Sequence, residues 1–170
     1  MNASIFKKIC LLGDFAVGKT SLVRRFLDNQ FNDEYLSTIG VKISRKLLEV
    51  PTPDNQLRSL NLVLWDLEGK DDFRGVAPSY LRGASGAIIV GDVTRPQTLT
   101  TLQNHVTHFL SHNPAGRIVI ACNKMDMIDD DSVLQELDRP RQAISLVGTS
   151  AKSGTGVDEV FRTLCLKLAE

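Results

Sequence analysis

The chain has 170 residues, 42% hydrophobic and 24% charged, which suits one globular domain over residues 1–170 with a sizeable core. Twenty Lys and Arg balance twenty Asp and Glu, so no global field draws the chain to nucleic acid or to an anionic membrane. No apolar run approaches the roughly 20 residues of a membrane span, and Met1 to Lys8 lacks the apolar core of a signal peptide. The odd cysteine count, Cys10, Cys122 and Cys165 in apolar segments, suits reduced thiols and a cytoplasmic location.

In chain order, Ile9 to Leu12 reads as a buried parallel strand. It feeds Gly13-Asp14-Phe15-Ala16-Val17-Gly18-Lys19-Thr20, and Ser21 to Leu27 follows with Leu22, Val23 and Phe26 at helical spacing. Strand, glycine-bearing turn and helix make the context of a phosphate-binding loop. Gly13 and Gly18 let the backbone wrap an anion, and the helix N-terminus adds positive potential. Lys19 is placed to reach β- and γ-phosphates, and the Thr20 hydroxyl to ligate Mg²⁺.

A polar loop runs to Ser37-Thr38-Ile39-Gly40. Val41 to Val50 and Leu57 to Asp66, joined by Pro51-Thr52-Pro53-Asp54-Asn55-Gln56, predict an antiparallel hairpin whose first strand lies at a sheet edge. Glu68 to Gly75 reads as a loop leading to a short helix near Pro78–Leu81. Buried strands are expected over Ala84–Asp92 and Arg117–Cys122, with one amphipathic helix from Thr94 to Ser111 between them. A short helix over Asp130–Leu137, a strand over Ile144–Val147 and a helix over Val157–Leu168 complete the chain. Strands alternating with helices predict a doubly wound α/β sheet, whose ligands sit beyond the carboxyl ends of the strands. The phosphate loop, Asp66, Asn123 and Ser150 each follow an apolar strand, so one shared site is expected.

Asp66 stands where it can hold a Mg²⁺ shell through water, and Gly69 can offer an unobstructed N–H to a γ-phosphate. In Asn123-Lys124-Met125-Asp126 the Asp126 carboxylate can accept from guanine N1–H and N2–H₂, which adenine cannot supply. Asn123 would tie this loop to the phosphate loop, and the Lys124 stem would lie over the purine. Ser150-Ala151-Lys152 would present a backbone N–H to guanine O6.

Together, in order and over essentially the whole chain, these residues resemble the Ras superfamily of small GTPases. Thr38-Ile39-Gly40-Val41, with Trp65 before Asp66, looks closest to the Rab branch, and Ala16 to Thr20 also looks Rho-like. The resemblance implies the small G-protein P-loop NTPase fold: a six-stranded, mostly parallel sheet with one antiparallel edge strand and helices on both faces. It implies GTP/GDP and Mg²⁺ as ligands, and a molecular switch working through residues about 31–42 and 66–80. Effectors, exchange factors and activating proteins are the implied partners, and a monomer is expected. The implied nucleotide contacts are Asp14 to Ser21, Phe31, Tyr35, Thr38, Gly69, Asn123, Lys124, Asp126 and Ser150 to Lys152. By the same resemblance Thr20, Thr38 and Asp66 form the metal site, while Lys19, Thr38, Gly69 and Lys70 serve catalysis.

Four residues depart from the family pattern. Lys70 stands where a glutamine orients the attacking water, and Phe15 fills a small-residue position near the entry of a partner's arginine. Glu68 replaces a small residue, and Leu67 a threonine. Hydrolysis is therefore expected to be slow, with a hydrolysis-deficient guanine-nucleotide scaffold as the alternative. The last residues, Cys165 to Glu170, hold no prenylation motif and the long tail typical of Rab proteins is missing, so the expectation is either a sequence cut short of that tail or a protein that uses no lipid anchor.

Two further clusters have ordinary readings. His105, His108 and His112 are read as one solvated helix face rather than a metal site. Asp129-Asp130-Asp131 is read as the start of a helix rather than a calcium loop.

Overall fold

The computed structural model of the chain describes residues 4–33, 38–67, 69 and 76–170. Six strands form one sheet in the order β2-β3-β1-β4-β5-β6. They are β1 (Ile5–Gly13), β2 (Val41–Pro51), β3 (Leu57–Leu67), β4 (Gly86–Asp92), β5 (Arg117–Asn123) and β6 (Ala143–Gly148). The strands pair in parallel except β2, which runs antiparallel to β3 at the edge, as expected from the hairpin.

The period-two geometry of the strands explains the two cores. Ile9 and Leu11 of β1, Ile88 and Val90 of β4, and Val119 and Ala121 of β5 face one layer. That layer is α1 (Lys19–Asp28) and α6 (Val157–Ala169), whose Phe26 and Phe161 rings stack 3.9 Å apart. The intervening Cys10, Leu12, Ala87, Ile89, Ile118 and Ile120 face the other side. There they meet α2 (Pro78–Leu81), α3 (Pro96–Thr100) and α4 (Leu102–His112) through Leu81, Leu99, Leu102, Val106 and Phe109. A short α5 (Ser132–Glu136) precedes β6. The three cysteines are free and buried, and burial pushes their thiols up to about 12, about 12 and about 11, well outside nucleophilic range.

Two expectations need correction. The helix foreseen from Thr94 to Ser111 is instead a turn and two helices, because Thr94 and Arg95 fold back on the Asp92 carboxylate and Pro96 opens α3. The histidines do not share a solvated face. His105 is buried against the phosphate loop, whereas His108 and His112 stack edge-on further along α4. Among the described residues no three His, Cys, Asp or Glu side chains gather to hold a metal. The aspartate cluster does begin a helix: Asp130 accepts from the Ser132 N–H and hydroxyl. Among the described residues no helix is long and apolar enough to cross a membrane.

Because β1, β3, β4, β5 and β6 are parallel, their carboxyl ends lie along one edge of the sheet. Gly13, Leu67, Asp92, Asn123 and Gly148 close those strands, and the site is built above them.

Candidate functional site

One elongated cavity of about 430 Å³ lies over this edge. Phe15, Ala16, Gly18, Lys19, Thr20 and Ser21 line one end, with Thr38 and Gly69 across from them. Asn123, Lys124, Asp126, Ala151 and Lys152 line the other end, with Phe31 on the rim against the α1/α6 core. Arg24, Asn32, Asp33, Leu67 and Met127 also reach the cavity, without any sequence signal for it. Asp14, Val17, Asp66 and Ser150 of the expected set stand behind the wall. Val17 is a core residue, so its side chain offers nothing to a ligand. Tyr35, Glu68 and Lys70 lie outside the described residues.

The first end is an anion site in the making. Gly18 takes the left-handed conformation (φ 103°) immediately before α1, and a Cβ there would lie 2.2 Å from the Asn123 amide. Lys19 is buried; its Nζ donates to the carbonyls of Gly13 (3.2 Å) and Asp14 (3.1 Å). Burial lowers its ammonium to about 8, opposed by the Asp66 and Asp14 carboxylates and reinforced by the Arg95 guanidinium. A polyanion in the cavity would favour the charged form of Lys19. Gly69 closes in from β3: a Cβ there would lie 2.6 Å from Lys19 Nζ and 2.9 Å from Phe15 Cα. Only glycine brings its backbone this close to the phosphate loop.

Oxygen atoms converge beside Lys19. The Thr20 hydroxyl donates to Asp66 Oδ2 at 2.5 Å and touches the Thr38 hydroxyl. Asp66 Oδ1 is buried with no hydrogen-bond partner among the described residues. Burial holds the Asp66 carboxyl above the usual carboxylate range, with Thr20 and Lys19 pulling the other way. An orphaned carboxylate oxygen beside two hydroxyls is a hard, all-oxygen set, which fits Mg²⁺ with retained waters.

The other end is rigid and polar. Asn123 Nδ2 donates to the Val17 carbonyl at 3.0 Å, while its Oδ1 accepts from Thr149 Oγ1 and the Ala151 N–H. Asp126 Oδ1 accepts from the buried Ser150 hydroxyl at 2.7 Å, which fixes the carboxylate facing the cavity. Arg25 of α1 donates to the carbonyls of Ala151 (2.8 Å) and Lys152 (2.5 Å), so the last loop is held from below.

Sequence reasoning missed five residues of this framework. Asp92, Arg95 and Arg25 bind backbone or each other rather than matching any motif. His105 and Thr101 grip the Asp14 side chain, Nε2 to Oδ1 at 2.8 Å and Oγ1 to Oδ2 at 2.9 Å. One signal was readable: Asp92, like Asp66 and Asn123, ends an apolar strand.

Comparison with known sequences agrees with this geometry. A sequence model of the Ras family matches residues 8–170. Human (Homo sapiens) Ras-related protein Rab-22A is 40% identical over 159 residues, covering 91% of this chain and 79% of its own length. GTP-binding protein ypt5 of Schizosaccharomyces pombe is 34% identical over 170 residues, covering 97% and 79%. Ras-related protein Rab-13 of Canis lupus familiaris is 36% identical over 167 residues, covering 92% and 77%. The chain belongs to the Ras family of small GTPases, on its Rab branch.

Proposed function

We propose that the cavity holds a guanine nucleotide lengthwise, its phosphates over Lys19 and its base over Asp126, and that the chain is a single switch domain over residues 1–170. The observation that supports this most directly is the pairing of two unlike ends in one cavity: a buried ammonium beside glycine backbone, and a fixed carboxylate 107 positions further on. In this reading Lys19 and the N–H groups of residues 15–20 bind the phosphates, and Thr20, Thr38 and Asp66 are the residues that would hold Mg²⁺, Asp66 through water. When bound, the metal would neutralise part of the phosphate charge. Gly69 gives its N–H to the γ-phosphate, so loss of that group releases the segment after β3 and the Thr38 segment together. Asp126 reads guanine, and Phe31 and the Lys124 stem flank the purine.

Hydrolysis on this reading is slow. Lys70 has three donors and no acceptor, so it cannot take a hydrogen bond from the attacking water as a glutamine carbonyl does. Phe15, 43% exposed and lining the cavity, would crowd an arginine that a partner inserted there. Single-turnover hydrolysis by the parent, Lys70→Gln, Lys70→Ala and Phe15→Gly tests this. Acceleration by Lys70→Gln supports it; collapse of the rate in Lys70→Ala makes Lys70 catalytic and overturns it. No measurable turnover in the parent would favour the second reading, a scaffold held in the GTP state. The same departures, Phe15, Glu68 and Lys70, motivate that reading.

Partners are expected on the outer face of the hairpin. Ile39 and Ile43 are exposed there, Ile43 pairs with Trp65 across β2–β3, and Tyr80 of α2 lies 6.3 Å from Trp65. This apolar surface adjoins both switch segments, so its shape would depend on the bound nucleotide. A cytoplasmic monomer recruiting effectors, exchange factors and activating proteins in this way is the working picture.

A further inference from the structure

The turn after β4 does more than connect elements. Asp92 is fully buried, and its carboxylate accepts from the Thr94 N–H and hydroxyl, Lys124 Nζ at 2.8 Å and Arg95 Nε at 3.1 Å. Both cations then reach the outside of the phosphate loop. Arg95 Nη2 donates to the Phe15 carbonyl at 2.5 Å, and Lys124 Nζ to the Ala16 carbonyl at 3.0 Å. With Asn123 on the Val17 carbonyl, consecutive carbonyls 15, 16 and 17 are each held by a donor from beyond the loop.

In a planar trans peptide the carbonyl and the following N–H point in opposite directions. Holding these carbonyls outward therefore turns the N–H groups of Ala16, Val17 and Gly18 inward. The Phe15–Ala16 peptide needs such a hold most, because Ala16 sits at φ 61°, a left-handed conformation unfavourable for a residue with a Cβ. Half a turn of that peptide would carry Ala16 to a φ of about −120°, a negative value that a residue with a Cβ adopts more readily than +61°. The same rotation would point the Ala16 N–H away from the cavity. Arg95, braced by Asp92, donates to that carbonyl and so opposes the rotation.

We infer that Arg95 is a positioning residue for nucleotide binding: it locks the Phe15–Ala16 peptide so that the Ala16 N–H faces the phosphates. The inference rests on the nucleotide assignment above. It commits the phosphate end first: the contacts of Asp126 and Ser150 do not involve Arg95, and Lys124, which shares the Asp92 carboxylate with it, keeps its own bond to the Ala16 carbonyl.

The test uses the full chain with GDP and with guanosine, which lacks phosphates. Arg95→Ala should speed GDP dissociation about tenfold, the loss expected of one charge-assisted hydrogen bond, with guanosine affinity unchanged within twofold. In ¹⁵N–¹H spectra the Ala16 amide should lose its nucleotide-induced shift. Glycine tolerates positive φ, so Arg95→Ala combined with Ala16→Gly should recover at least a threefold part of the lost retention. An unchanged GDP off-rate, an equal loss of guanosine affinity, or no recovery in the double variant would overturn the inference. If the parent binds no GDP, the nucleotide assignment itself fails, and that outcome is visible before any variant is made.

Discussion

His105 Nε2 lies 2.8 Å from Asp14 Oδ1, and both side chains are almost sealed from water, so α4 is tied directly to the phosphate loop. With the carboxylate as acceptor, Nε2 carries the proton of a neutral ring. Burial lowers the His105 pKa; the Asp14 carboxylate opposes this, and Lys19 and His108 reinforce it. A histidine held below its unfolded value of about 6.5 binds fewer protons in the folded state, so stability falls as pH drops through and below that value. We expect the melting temperature of the parent to fall more steeply than that of His105→Gln between neutral and mildly acidic pH, since glutamine keeps a donor and does not titrate. Parallel curves would mean that His105 does not set this slope. His105→Ala, which leaves the Asp14 carboxylate with the Thr101 hydroxyl among the described residues, should cost about 1–3 kcal/mol at neutral pH.

Base selectivity should reside in Asp126. Its Oδ1 is occupied by Ser150, so its remaining lone pairs face the cavity. Asp126→Asn places a donor against a guanine donor, and an unpaired buried polar group costs about 1–3 kcal/mol, or tenfold and more in affinity. Xanthosine diphosphate, with a carbonyl at position 2, should gain relative to GDP in this variant. Competition binding of GDP, xanthosine diphosphate and ADP measures it; equal ADP and GDP affinity in the parent would refute the assignment.

Much of this was legible in the chain. The continuous apolar runs Ile9 to Leu12 and Ile118 to Cys122 read as buried parallel strands, and the phosphate loop, Asp66, Asn123 and Ser150 follow strands where the sheet gathers ligands. What escaped were side chains whose partners are distant in sequence. His105 reaches a carboxylate 91 positions earlier, and Arg95 a carbonyl 80 positions earlier. Hydrophobic periodicity ranked His105 with two exposed-looking histidines because it reads a helix as isolated. Only the packing of α4 under the phosphate loop separates them.

The oxygen cluster of Thr20, Thr38 and Asp66 makes a divided prediction. Thr20 lies at the start of α1 and touches both of the others, so Thr20→Asn should weaken retention of GDP and GTP together. Thr38 precedes β2, on the segment proposed to sense the γ-phosphate, and meets both the Thr20 hydroxyl and the Asp66 carboxylate, so Thr38→Ala should leave GDP retention nearly unchanged while lowering preference for GTP. Dissociation rates with Mg²⁺ and with chelator separate the two. A GDP loss in Thr38→Ala as large as in Thr20→Asn would contradict the assigned roles.

Gly69 offers the sharpest separation of nucleotide binding from switching. A methyl group there would lie 2.6 Å from Lys19 Nζ, 2.8 Å from the Asp14 carbonyl and 2.9 Å from Phe15 Cα. Lys19 and the loop backbone are fixed by their own hydrogen bonds, so the segment carrying residue 69 must retreat instead. Its N–H then loses reach to a γ-phosphate, while the base end and the loop N–H groups stay in place. Gly69→Ala should therefore bind GDP within about threefold of the parent, yet lose GTP-dependent partner capture and slow hydrolysis by tenfold or more. Stopped-flow nucleotide binding and pull-down with GTP- and GDP-loaded protein check both halves. A variant that captures partners normally in the GTP state would show that Gly69 does not carry the signal from the γ-phosphate to the hairpin face.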